Sequence, residues 1–156
     1  MTIGQAQDLL VQADQLPWQE YGPGMSIKVL RVSEETGAWT CLLKMEPGSV
    51  FTRHFHKGAI DMYVLKGELK YRAGVVKEGG FAYEPLGVLH EATNVDVETI
   101  IYSHLYGALE FMDDEDNVIF ILDWSWAKDY VAAATTLGSD GSLSDISYQR
   151  QDALQG

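Results

Sequence analysis

From Met25 to Leu122 the chain sets short apolar runs between turn residues, at a spacing that suits β-strands. The runs are Ser26 to Val32, Trp39 to Met45, Val50 to His56, Met62 to Leu65, Glu68 to Ala73, Gly80 to Tyr83, His90 to Asn94, Thr99 to Tyr106 and Val118 to Leu122. Gly37, Pro47-Gly48, Gly58, Gly67, Gly74, Gly79-Gly80, Pro85, Gly87 and the polar stretch Asp113 to Asn117 punctuate them. No helix-length pattern intervenes, which predicts an all-β antiparallel sandwich or barrel. Helical periodicity returns only at the ends. Residues 2–15 place Ile3, Leu9 and Leu10 on one side of a short amphipathic helix, before Pro17, Gly22, Pro23 and Gly24 break the chain. Trp124 to Ala134 reads as a C-terminal helix docked by Trp124, Trp126 and Tyr130, and residues 138–156 as a polar tail. The expectation is one domain over residues 1–156: an arm at 1–24, a barrel core at 25–122, and a helix and tail at 123–156.

Composition narrows the partners. A chain of 156 residues buries roughly two-thirds of its unfolded surface, enough for a real core. The net charge of −12 argues against nucleic acid and against anionic membrane surfaces, since nothing would neutralise phosphates. No apolar run approaches the ~18 residues of a membrane span, and the N-terminus lacks the basic region and apolar core of a secretion signal. The single Cys41 has no partner for an internal disulfide and sits in an apolar stretch, as a small buried hydrophobe does. These features lead to the expectation of a soluble, cytoplasmic protein.

The candidate chemistry lies in three of the four histidines. On a strand, residues i and i+2 share a face, so His54 and His56 can aim both imidazoles at one point. His90, on a neighbouring strand, would supply a third nitrogen for a divalent metal. The bland alternative is three half-buried histidines hydrogen-bonded within a sheet.

The residues around them resemble the two motifs of the cupin superfamily. The first motif is a Gly, five residues, His-x-His, three or four residues, Glu, six residues, Gly; this chain matches it at Gly48, His54, His56 and Gly67. The second is a Gly, five residues, Pro-x-Gly, two residues, His, three residues, Asn, matched at Gly79, Pro85, Gly87, His90 and Asn94. PGSVFTRHFHKG, YVLKGELKY and YEPLGVLHE look like the branch related to acetylacetone-cleaving enzymes and 2,4'-dihydroxyacetophenone dioxygenase, which overlaps the cupin domain of a zinc anti-sigma factor. The resemblance implies a double-stranded β-helix, a jelly-roll-like barrel with short helices at either end. It also implies a mononuclear Fe(II) dioxygenase that cleaves a carbon–carbon bond of a small β-diketone or hydroxyketone with O₂. Imidazole ligands serve zinc, manganese and nickel as well, so a zinc-type sensor module and a non-redox metal-dependent isomerase, hydrolase or lyase stand as alternatives. A homo-oligomer, dimer or tetramer, is expected.

The departure from the first motif points to further residues. Ile60 stands where the glutamate ligand is usual, and Asp61 next to it would face the other way unless the register changes. That favours a three-histidine site and singles out Glu84, just before Pro85, as a fourth ligand or proton acceptor, or else an exposed strand-end carboxylate. Ile60 and Met62 are expected to line the pocket. On the strand Thr99 to Tyr106, Tyr102 and His104 share a face; Tyr102 is assigned to the substrate pocket, and His104 to substrate hydrogen bonding or to orienting a ligand imidazole. The structural alternative for His104 is packing.

Overall fold

The computed structural model describes residues 9–137. Within them a single 3₁₀ turn, Ala13–Gln15, stands where an N-terminal helix was expected, the first half of which lies outside the described residues, as does the tail at 138–156. Fourteen strands follow: β1 (Gln19–Gly22), β2 (Met25–Val32), β3 (Trp39–Met45), β4 (Val50–Phe51), β5 (His54–His56), β6 (Ile60–Lys66), β7 (Glu68–Tyr71), β8 (Gly74–Lys77), β9 (Phe81–Glu84), β10 (Leu89–His90), β11 (Thr93–Asn94), β12 (Thr99–Leu105), β13 (Leu109–Met112) and β14 (Val118–Leu122). The helix α1 spans Trp124–Leu137.

All strand pairs are antiparallel. A six-stranded sheet runs β1-β2-β3-β12-β6-β9, and a four-stranded sheet β10-β5-β13-β14; β11-β4 and β7-β8 form two small ladders. The buried faces of the two main sheets share one core. Ile27, Trp39, Cys41, Leu43, Met45, Ile60, Met62, Val64, Ile101 and Leu105 come from the larger sheet, and Leu109, Phe111 and Leu122 from the smaller. On β6 the alternation is strict: Ile60, Met62 and Val64 are buried, while Tyr63 and Leu65 are exposed. Helix α1 closes one end. Asp123 caps it by accepting a hydrogen bond from the Trp126 backbone N–H at 2.9 Å. The Trp126 ring then packs against Tyr21, Trp39, Phe120 and Tyr130.

Two runs that the pattern reads as single strands are each broken in two. The chain pairs β4 with β11 and then β5 with β10, so the ladder lapses at Thr52–Arg53 and at Glu91–Ala92. Arg53 fastens the break. Its guanidinium donates to the Asp113 carbonyl at 3.1 Å and pairs with Asp116 at 2.5 Å and Glu91 at 3.4 Å. The acidic turn at 113–117 is thereby tied to the start of β5. Three strands escape the apolar pattern. β1 ends in the Gly-Pro-Gly turn, β8 begins at a glycine, and β13 is only four residues long.

The link from β5 to β6 is set by close backbone approach. A Cβ on Gly58 would lie 2.3 Å from the Gly107 nitrogen and 2.5 Å from its Cα. The two loops are bonded there, Lys57 N–H to the Ala108 carbonyl and Tyr106 N–H to the Ala59 carbonyl, both at 2.9 Å. The backbone cannot move aside without breaking those bonds. Gly58→Ala is therefore expected to cost about 1–3 kcal/mol, as overpacking does, read as a lower denaturant midpoint with an unchanged m-value.

Candidate metal centre

The strand β5 delivers both of its imidazoles inward. His54 and His56 are buried, 5% and 0% exposed, with Phe55 turned to the other face. On the neighbouring β10, His90 stands directly opposite His54 in the antiparallel register. Side chains of such a pair share a face with Cβ atoms about 5 Å apart. The ring centroids are 5.0 Å apart for His54 and His56, 5.4 Å for His54 and His90, and 4.9 Å for His56 and His90.

A carboxylate completes the cluster. Glu84, the last residue of β9, is buried and lies directly across from Ile60 of β6. Cross-strand partners point to the same side of a sheet, so the acid enters the barrel from the strand beside the position that Ile60 occupies. One oxygen, Oε2, lies 3.2 Å from His56 Nε2 and 3.5 Å from His90 Nε2. The other, Oε1, accepts a hydrogen bond from the Tyr71 hydroxyl at 2.6 Å. Ligand atoms of His54, His56 and Glu84 all lie within 4.8 Å of one another.

The donor set suits a divalent cation. A carbonyl can only accept, so the 2.8 Å contact between His54 Nδ1 and the Thr52 carbonyl fixes the proton on Nδ1 and leaves the Nε2 lone pair free. Both ring nitrogens of His56 and Nε2 of His90 are buried without a hydrogen-bond partner. Such groups are costly unless something satisfies them, and a cation between them and Glu84 would. Burial drives the His54 and His56 imidazoles to their neutral, ligating form, with pKa values down to about 4 for His54 and about 3 for His56. Burial also raises the Glu84 pKa, opposed by the Tyr71 hydrogen bond and by nearby His90.

The cluster opens on a cavity of about 800 Å³ lined mainly by apolar side chains, among them Phe51, Leu69, Ile101 and Leu105. Ile60 and Met62 line it as well. Tyr102 and His104 do not, which corrects the expectation that they belong to the pocket and the catalytic set. On β12 the inward positions are Ile101, Ser103 and Leu105, all buried, so Tyr102 and His104 face outward. His104 Nδ1 meets the Thr40 hydroxyl at 2.8 Å, and its ring packs against Tyr106 at 4.7 Å. Asp61 also faces outward, accepting a hydrogen bond from the Tyr106 hydroxyl at 2.8 Å. Between Ile60 and Tyr63 the register runs unbroken on both sides, so nothing turns Asp61 inward. Tyr71 was not anticipated as the partner of Glu84. Its place depends on the β7–β8 hairpin, whose second strand is four residues long and opens on a glycine.

Comparison with known proteins agrees with this fold. The ChrR cupin-like domain family matches residues 6–110. The acetylacetone-cleaving enzyme of Acinetobacter johnsonii is 33% identical over 111 residues, 67% of this chain and 72% of that enzyme. A candidate acetylacetone dioxygenase from Methylibium petroleiphilum PM1 superposes with a TM-score of 0.76 at 27% identity, covering 83% of this chain and 97% of that one. The acetylacetone dioxygenase structure from Acinetobacter johnsonii gives a TM-score of 0.72 at 25% identity, covering 81% and 91%.

The depressed histidine pKa values have a consequence for stability. Unfolded, His54 and His56 bind protons near the ordinary value of about 6.5, whereas folded they resist until pH about 4 and about 3. The unfolded chain therefore holds more protons in that window, and the metal-free fold loses stability as pH falls. Each histidine contributes a slope of up to about 1.4 kcal/mol per pH unit. Urea unfolding of metal-free protein between pH 6.5 and pH 4.5 should show the decline, and His56→Gln should flatten it.

Proposed function

The chain belongs to the ChrR cupin-like domain family, and on that footing we propose that it is a mononuclear non-haem iron dioxygenase that cleaves a carbon–carbon bond of a small β-diketone or hydroxyketone. His54, His56 and His90 form the nitrogen face of the metal site, and Glu84 is the carboxylate beside it. The observation that carries this reading is the set of buried imidazole nitrogens without partners, converging with Glu84 on the wall of an apolar cavity. Fe(II) held there supplies open coordination positions for a chelating ketone and for O₂, and the electrons that make O₂ reactive.

The chain's own residues do the rest. Thr52 holds the His54 tautomer that presents Nε2. Tyr71 fixes Glu84 through one oxygen and leaves the other facing the histidines, placed to take a proton from the acidic carbon of a diketone or from an enol. Burial raises the basicity of Glu84 toward that task. Ile60 and Met62 keep the wall apolar and limit water beside the reacting carbon. The small-molecule substrate and O₂ are the partners of this reading. The same donor set would hold zinc, and the relation to the ChrR family makes a metal-binding regulatory module the second reading.

Anaerobic loading with Fe(II), followed by O₂-uptake measurements with panels of β-diketones and hydroxyacetophenones, separates the two. Uptake that depends on substrate supports the dioxygenase. Zinc retained through purification, with no uptake after iron loading, moves the protein to the regulatory reading. His56→Ala and His90→Ala should each lose metal, measured by elemental analysis, while keeping the β-sheet circular dichroism spectrum. Glu84→Gln should weaken metal retention by about 10–100-fold, as loss of a supporting carboxylate does, and depress turnover further than metal loading explains.

A further inference from the structure

We infer that the chelating ketone taken by this site carries a long apolar substituent, which lies across the barrel interior away from the metal centre. The inference rests on the chelating role proposed for the histidines and Glu84. Strand pairing measures how far the cavity runs beyond them. Glu84 on β9 stands opposite Ile60, Ile60 opposite Leu105, and Leu105 opposite Trp39. All four line the cavity, so it crosses the larger sheet from β9 to β3. Three strand spacings separate the carboxylate from the indole, about 14 Å. The facing sheet leads the same way. His56 pairs with Leu109, and Leu109 with Leu122, so that wall also passes from imidazole to apolar side chains.

The far part of the cavity is built for hydrocarbon. Behind the first row, Met62, Ser103 and Cys41 form a second, and Ile101, Leu43 and Ile27 extend a third. The Ser103 hydroxyl, the Cys41 thiol and the Trp39 indole N–H are the polar groups beyond Glu84 on these rows, and none carries a charge. An anionic end would be buried there without a counter-charge. The volume points the same way. Protein interiors leave few voids larger than a water molecule, whereas this cavity measures about 800 Å³. At roughly 30 Å³ for each water-sized group, it takes about 25 non-hydrogen atoms, several times a diketone with methyl ends.

The entrance suits a substrate that goes in tail first. The exposed lining residues Arg72, Ala73, Ala92 and Thr93 gather around the β7–β8 turn and β10–β11, beside Tyr71 and His90. His90 is itself partly exposed, whereas Trp39, Cys41 and Ile27 are buried. The metal centre therefore lies near the mouth and the apolar rows lie deep. A substituent passes the histidines first, and the chelating head arrives at them last. A zigzag chain advances about 1.3 Å per carbon, so about eight carbons span roughly 10 Å, the reach left between the side chains at either end.

Calorimetric titration of the full chain loaded with redox-inert zinc tests the inference. The probes are 1,3-diketones with unbranched acyl groups from acetyl to decanoyl. Affinity should rise about threefold with each methylene and level off near octanoyl. Affinity that ignores chain length, or falls with it, overturns the inference. Ser103→Leu, which fills the middle of the cavity floor, should weaken octanoyl binding by about 10-fold and acetyl binding by less. Equal loss for both overturns the inference as well, and Cys41→Met gives the same reading should Ser103→Leu misfold. Oxygen uptake by the Fe(II)-loaded chain with the same probes keeps the two proposals apart. Uptake without a chain-length effect on affinity sinks the long substituent alone. A chain-length effect without uptake from any probe sinks the dioxygenase alone.

Discussion

Three imidazoles and a carboxylate are packed against one another inside an apolar barrel, and three of the six imidazole nitrogens are buried with no hydrogen-bond partner. That arrangement is unfavourable by itself. Ionised groups resist burial, and neutral ones lose their bonds to water. The rest of the fold works to hold it in place. Arg53 bonds the acidic turn to the start of β5, Gly58 lets that strand's exit meet Gly107, and β13 pairs with all three residues of β5 on one side while β10 pairs with His54 and Phe55 on the other. Strand registry, rather than any single side-chain contact, fixes where the imidazoles meet.

Registry also explains the carboxylate. In a sheet, the positions nearest a given residue on the same face are two along its own strand or directly opposite on the next. Ile60 gives up the position on β6, and Glu84 takes the one opposite it on β9. The exchange changes what the acid can do. On the edge strand next to Pro85, Glu84 is reached by the Tyr71 hydroxyl, which holds one oxygen while the other faces His56 and His90. A ligand position has become a carboxylate with a tether, apolar on one flank where Ile60 lines the cavity.

How much of this was legible in the sequence depended on whether a strand had one apolar face or two. The strand β5 was readable because His54 and His56 are two apart and bounded by polar residues, and β6 because Ile60, Met62 and Val64 follow one parity. The β3 and β14 runs appeared with their observed ends, Trp39–Met45 and Val118–Leu122. The convergence of Glu84 on the histidines could be posed but not decided, since parity is lost at a Pro-x-Gly turn. The strands β1 and β8 are only four residues long and lack apolar–polar alternation, and the missed β7–β8 hairpin hid the partnership of Tyr71 with Glu84. On β12 parity itself failed. TIIYSHL offers apolar or aromatic residues on both faces, and the pair Tyr102 and His104 looked as suited to a pocket as Ile101 and Ser103.

That last failure has a physical cause beyond the strand. A single-sequence reading assigns the apolar parity to the core, which works when the opposite face meets water. The central strands of the larger sheet break the premise: β12 and β6 carry Ile101, Leu105, Met62 and Val64 toward the core, and Tyr102, Tyr63 and Leu65 away from it. With apolar or aromatic residues on both faces of the strand, parity alone does not say which face meets the second sheet. His104 is bonded to Thr40 and packed on Tyr106, and Asp61 is bonded to Tyr106, so the outer face spends its few polar atoms on one another. A histidine that sequence parity could not separate from the catalytic set thus lies on the outer face of the sheet, away from the cavity.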